Sequence, residues 1–244
     1  MDFNRLISQF DRLVNEERFD EAGNLLEQAK GQVDSINYNL LIALNNELIG
    51  FYRKQNKQIE CLQTINDTLT LLLEIKNKNT EFYGTVYINI ATGYSAFNFV
   101  EESKQNFIVA KDILTSVLDK YDNRLGALYN NFASVYMMEK DLVRARKYYK
   151  KAIEIAEKNN RILDKAQSLI NMTYTFDSIC DEETIDNILD EALAILTDSS
   201  VVKDKEYSFI LKKYAKDFGH YGYFLVEEDL LNRANEIDER YRVS

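Results

Sequence analysis

Apolar residues return along this chain at the three- and four-residue steps of helices that bury one stripe each. In the segment from Gly126 to Glu157, GALYNNFASVYMMEKDLVRARKYYKKAIEIAE, the residues Tyr129, Phe132, Ala133 and Tyr136 share one face. After a short polar break, Leu142, Ala145, Tyr149 and Ala152 share another. The segment therefore predicts two helices joined by a tight turn. Tyr52, Tyr94 and Tyr136 stand 42 residues apart, each closing a helical pattern just ahead of a polar turn, so the unit repeats.

With the segment numbered from one, the marked residues fall at positions four, seven, eight, eleven, seventeen, twenty, twenty-four and twenty-seven. Further copies begin near Phe3, Ile42, Gly84, Ala166 and Asp204. The copy from Gly84 matches through Tyr87, Ile90, Ala91, Tyr94, Phe107 and Ala110, and that from Ala166 through Leu169, Met172, Thr173, Phe176, Leu189 and Ala192. The last copy fits at Tyr207, Ile210, Leu211 and Tyr214 but needs extra residues around His220 to Tyr223 before Leu231 and Ala234 fall into place. The small positions have a steric purpose: paired helices approach closely only where a small side chain on one admits a large one from the other. Ala133 and Ala145 are the expected contact points. The tyrosines at position eleven follow the period of core residues and read as packing.

This order, large, large, small, large, then large, small, large, small, resembles the tetratricopeptide repeat. The long period is similar to that of kinesin light chains and of the cytoplasmic peptide-pheromone receptors of Gram-positive bacteria. The resemblance implies an all-α, right-handed superhelical solenoid of antiparallel helix pairs, about six of them, forming a single domain over residues 1–244. It also implies a concave groove lined by the first helices, where a peptide or protein segment binds. Two features depart from the family pattern. The usual turn Gly is replaced by Asn56, Asn98 and Lys140, of which Lys accepts a left-handed backbone least readily, and the Pro that often follows the second helix is missing.

Composition narrows the alternatives. With no Pro and eight Gly in 244 residues, the chain can hardly build the frequent turns of a strand-rich fold. A net charge of −10 argues against nucleic acid as the main partner, which needs a positive footprint. The basic strip Lys140, Arg144, Arg146, Lys147, Lys150 and Lys151 reads as a solvated helix face. The charged N-terminus lacks the apolar core of a signal peptide, and no apolar run is long enough to cross a bilayer, so a soluble cytoplasmic protein without a membrane partner is expected. Cys61 and Cys180 make no disulfide framework. A single histidine, His220, and the absence of nucleophile, phosphate-loop or metal-spacing motifs point away from an enzyme, a cofactor or a metal. Asp181, Glu182, Glu183 and Asp186 read as the acidic start of a helix rather than as catalytic carboxylates.

The groove positions implied by the resemblance hold a run of amides. Asn89, Asn131 and Asn171 stand at position six of three successive copies, with Asn130 and Asn46 at position five. An Asn carboxamide both donates and accepts, so a ladder of them would grip an extended backbone regardless of its side chains. The alternative is that a chain rich in Asn throughout simply exposes solvated amides there. Arg53, with a fork suited to a carboxylate, and Ser134, Met137 and Tyr174 occupy neighbouring groove positions and would supply specificity. Two further readings follow: a peptide-responsive bacterial signalling regulator lacking its own DNA-binding domain, since the repeats begin almost at Met1, and a homodimer through an apolar edge on the terminal helices near Leu230, Leu231 and Ile237.

Overall fold

The computed structural model describes residues 2–177 and 181–243, with side chains as far as Tyr241, so Cys180 lies outside the described residues. Twelve helices and no strands occur among the described residues: α1 (Phe3–Asn15), α2 (Phe19–Gly31), α3 (Tyr38–Lys54), α4 (Gln58–Leu73), α5 (Glu81–Ala96), α6 (Val100–Val117), α7 (Asn123–Met138), α8 (Leu142–Lys158), α9 (Ile162–Thr173), α10 (Glu182–Leu196), α11 (Lys205–His220) and α12 (Phe224–Val243). Consecutive helices pack in pairs, α1 on α2 through α11 on α12. The contacts group into two compact units, residues 1–119 with α1 to α6 and residues 120–244 with α7 to α12. No helix among the described residues is long and apolar enough to cross a membrane.

The turn inside a pair is the most regular feature of the chain. Three residues separate the helices at 16–18, 55–57, 97–99, 139–141 and 221–223, and again between α8 and α9 at 159–161. In every case the middle residue has positive φ: Glu17 at 58°, Asn56 at 54°, Asn98 at 64°, Lys140 at 60°, Asn160 at 54° and Gly222 at 90°. The third residue then donates its N–H to a carbonyl five residues back, as Lys57 does to Tyr52 (2.9 Å), Phe99 to Tyr94 (3.0 Å) and Asp141 to Tyr136 (2.9 Å). This is the left-handed closure that satisfies carbonyls left open at a helix end. It explains the 42-residue spacing of the tyrosines, because position eleven is where the turn closes.

The same closure corrects the register of the last copy. There Tyr223 donates to Phe218 (2.9 Å), so Phe218, not Tyr214, corresponds to Tyr136. The copy begins at Ser208, 42 residues after Ala166, with Leu211, Tyr214, Ala215 and Phe218 in the large, large, small, large places and no inserted residues. Asp204 instead caps α11, accepting from the Tyr207 N–H at 2.9 Å.

Inside the pairs the expected positions are buried. Ala133 and Ala145 are fully enclosed, as are Ile42, Leu48, Ile49, Ile65 and Ile90 in the first unit and Leu128, Phe132, Leu189 and Leu211 in the second. Each such large aliphatic or aromatic side chain contributes roughly 1.5–3 kcal/mol on burial. Tyr136 stacks parallel to Tyr148, with ring centroids 5.4 Å apart, and Tyr52 donates to the Glu27 carboxylate at 2.8 Å. The approach of α5 is close at Gly93, where a Cβ would lie 2.7 Å from the tip of the Ile65 side chain, which would have to shift.

Three departures have local causes. Phe176 was expected inside a first helix, but α9 ends at Thr173. The Arg146 guanidinium donates to the Thr175 carbonyl (2.6 Å) and hydroxyl (3.0 Å) and lies 3.8 Å from the Phe176 ring centre, which places a cation at the end of the helix. Arg146 is thus structural rather than part of a solvated strip. Of the terminal-helix residues read as an apolar edge, Leu230 and Ile237 are buried and Leu231 is half-buried, with α12 packed on α11, while Phe224 and Leu225 at the start of α12 are exposed. Asn45 sits at position four, where Tyr87 and Tyr129 stand in later copies, and is fully buried with neither its amide nitrogen nor its oxygen hydrogen-bonded. The acidic run after residue 180 does begin α10, with Asp181 accepting from the Thr184 N–H.

Two stability measurements check these assignments. A left-handed L-residue costs about 1–2 kcal/mol that glycine avoids, so Lys140→Gly is expected to raise the urea midpoint; a lower midpoint would mean that the turn is not left-handed. Relieving a buried unpaired amide of about 1–3 kcal/mol, Asn45→Leu is expected to raise the melting temperature.

Candidate binding site

The side chains expected in the groove lie on first helices, except Tyr174, which caps the end of α9, and the hydrogen bonds sort them into two kinds. In the first unit Asn89 on α5 donates to the Asn46 side-chain oxygen on α3 at 2.8 Å. In the second unit Asn171 on α9 donates to Asn130 on α7 at 3.4 Å and to the Tyr214 hydroxyl on α11 at 3.3 Å. Tyr214 in turn donates to Gln167 at 3.4 Å. The rule is position six of one repeat to position five of the preceding one. These four amides act as lateral rungs between neighbouring first helices and are not a uniform ladder facing a ligand.

Asn131 is the exception. Its half-buried side chain has no hydrogen bond among the described residues. Ser134 donates to the carbonyl of Asn130 (3.3 Å) within its own helix and touches the Tyr149 hydroxyl (3.4 Å), whose pKa burial pushes up to about 12. Met137 is half-buried. Arg53 is half-buried and makes no ion pair among the described residues. Close to it in sequence, Glu47 has its pKa raised by burial, partly offset by the N–H of Asn46.

Tyr174 belongs to a cluster that the sequence did not reveal. Its hydroxyl donates to Asp217, and its ring lies 5.4 Å from His220 and 5.6 Å from Tyr221. Tyr221 donates to Asp177 at 2.7 Å. Burial first, then the carboxylate acceptors, hold both phenols well above their ordinary pKa, so they remain donors.

A cavity of about 400 Å³ opens in the second unit beside Asn131, within the size range of small-ligand sites. Asn130, Asn131 and Ala127 from α7 and Gln167 and Ser168 from α9 line it, with an apolar floor of Ala152, Ile155 and Ala156 from α8. Arg124, Arg161, Asp164 and Lys213 supply its charge. Arg124 is paired with Asp122 at 2.7 Å and Arg161 with Asp164 at 2.6 Å. Lys213 makes no ion pair among the described residues, and its ammonium lies 4.7 Å from the Tyr214 ring centre.

With the last repeat starting at Ser208, Lys213 occupies position six, the register of Asn89, Asn131 and Asn171. Sequence reasoning missed it because that copy was placed four residues early; the left-handed Gly222, aligned with Asn56, Asn98 and Lys140, was the signal that finds it. Among the described residues no group of three His, Cys, Asp or Glu could hold a metal ion. Burial pushes the Cys61 thiol up to about 11 and keeps it protonated.

No protein-family profile matches the chain, and no curated protein matches its sequence. Solved structures do match it. The apo form of RapI is 14% identical, with 100% of this chain and 87% of that one covered and a TM-score of 0.71. The kinesin light chain TPR-like repeats of Podosopora anserina are 14% identical, covering 82% and 96%, with a TM-score of 0.60. A Rap protein complexed with competence and sporulation factor is 12% identical, covering 95% and 73%, with a TM-score of 0.57. At such identities the likeness is one of fold, and that fold is the tetratricopeptide-like all-α repeat.

The rung assignment separates two otherwise equivalent amides. Asn171→Ala is expected to destabilise the second unit by about 1 kcal/mol, whereas Asn131→Ala should leave its chemical denaturation unchanged. Equal losses would show that Asn131 is also a rung.

Proposed function

We propose that this chain is a non-catalytic scaffold that holds a peptide or protein segment on the first-helix face of its repeats. The observation that carries the reading is the cavity beside Asn131, where a free carboxamide faces open space between helices that the neighbouring rungs hold in place. A donor and an acceptor fixed before binding can engage a peptide bond on both sides without ordering cost. The fold-level likeness to a Rap protein complexed with competence and sporulation factor supports a ligand-holding role for such repeats. A net charge of −10 favours a protein or peptide partner over nucleic acid, in a cytoplasmic setting.

A second reading is a peptide-responsive bacterial signalling regulator. The match to apo RapI over the whole chain favours it. In that case the held segment would bias a second interaction by its differential affinity for two states.

The test is affinity selection of a synthetic peptide library on the 244-residue protein, read by mass spectrometry. A retained peptide is then titrated against the wild type and Asn131→Ala. The substitution is expected to weaken binding by about 1–3 kcal/mol with the melting temperature unchanged. Unaltered affinity would remove Asn131 from the site, and a library from which nothing is retained would refute the scaffold reading.

A further inference from the structure

We propose that two copies of this chain pair through the exposed faces of α8 and α10, the basic helix of each copy lying over the acidic helix of the other. This goes beyond the peptide-holding reading and uses a different surface, the outer side of second helices. In a protein whose net charge is −10, α8 holds six Lys and Arg against two Glu, while α10 holds five Asp and Glu and no cation. The two helices are neighbours in the second unit. Both pack on α9, and Lys165 of α9 bridges Glu157 of α8 at 2.8 Å and Glu191 of α10 at 2.6 Å.

The charges on the outer faces are left open. Lys147 and Lys150 are exposed and make no ion pair among the described residues, and the same holds for Glu183 and Asp190. Lys151 is held over the rings of Tyr129 and Tyr148, 5.0 and 5.5 Å from their centres, and Arg144 lies 4.9 Å from that of Tyr136. A ring steadies a cation without neutralising it, so this face stays positive and ordered.

The two faces also match in register. Val143, Lys147 and Lys150 occupy positions eighteen, twenty-two and twenty-five of their repeat, and Glu183, Asn187 and Asp190 occupy the same positions of the next. All six are exposed. A two-fold axis running between the helices and parallel to them carries α8 of one copy over α10 of the other without changing height, so like positions meet. Lys150 then faces Asp190, Lys147 faces Asn187 with Asp186 beside it, and Arg144 faces Glu183. Symmetry makes each contact twice.

That doubling selects the occupant. A nucleic acid or an acidic peptide would answer α8 but be repelled by the carboxylates of α10. A second copy answers both faces at once, which is the complementarity that fixes partner and register.

The test is the molar mass of the 244-residue protein in solution, by sedimentation velocity and light scattering from micromolar to sub-millimolar concentration. A concentration-dependent rise from the 28.5 kDa of one chain to twice that is expected. Lys147→Glu with Lys150→Glu sets like charges against Asp186 and Asp190, and Asn187→Lys with Asp190→Lys sets them against Lys147 and Lys150. Each double variant is expected to dimerise at least about tenfold more weakly, with melting temperatures confirming that both are folded. Mixed in equal amounts, the two variants are expected to recover a dimer, because the new Glu side chains then face the new Lys side chains while the unaltered α8 and α10 face each other. A wild type that stays monomeric throughout would overturn the proposal. So would a dimer insensitive to both pairs of substitutions, or variants that fail to recover on mixing. None of these outcomes bears on the peptide-holding reading, which the peptide selection decides separately.

Discussion

A single left-handed residue at the middle of each three-residue turn is the constraint on which the rest of the structure depends. It reverses the chain in the smallest available space and lets the following N–H close back on the end of the helix just completed. Because the reversal is short, the two helices lie in contact from their first turns, and small residues such as Ala133 and Ala145 must face one another there. The large residues then interleave around them, and the tyrosine or phenylalanine whose carbonyl receives the closing bond is held at the corner. Most links between pairs are longer and less uniform, for example 74–80 and 197–204, although 159–161 between α8 and α9 repeats the three-residue turn, and the turn inside the α9/α10 pair is itself longer. The regular part of this chain is therefore the hairpin, and the links absorb the variation.

Neighbouring hairpins are joined on their first-helix side by polar contacts. Tyr83 donates to Asn39 at 2.6 Å, Asn89 to Asn46, Asn171 to Asn130 and Tyr214, and Tyr174 to Asp217. Half-buried polar groups need partners, and a partner on the next helix both satisfies them and fixes the spacing. A surface built in this way is stiff and hydrophilic at once. The one place where the rule lapses, Asn131, is also where a cavity opens and where Lys213 stands unpaired. Local rules tend to be broken where a site is needed, because a group already satisfied within the protein has nothing to offer a ligand.

Charge follows the same division of labour. Most ion pairs are short-range contacts within a turn or a cap, such as Arg144 with Asp141 and Arg161 with Asp164, and they secure helix starts. Arg146 reaches farther, to the end of α9, and its grip on Thr175 and Phe176 sets where that helix stops. The cation that remains unmatched beside the cavity gives the second unit a local polarity opposite to the protein's overall charge.

The sequence by itself determined the helices, their pairing and the period. Those depend on local stripes of apolar residues, on small positions eight and twenty, and on turn residues, all of which are written in consecutive residues. The burial of Leu48, Phe107, Phe132 and Leu189 was legible for the same reason. Tertiary structure alone decided which Asn is a rung and which is free, since the rung bonds join residues 41 to 43 places apart in the chain. It also decided the register of the last repeat, where Tyr214 and Phe218 both fit the apolar pattern one helical turn apart and only the closing bond from Tyr223 chooses between them. Apolar periodicity cannot separate positions one turn apart on the same face. A hydrogen bond between two particular atoms can, and that choice brings Lys213 to the site.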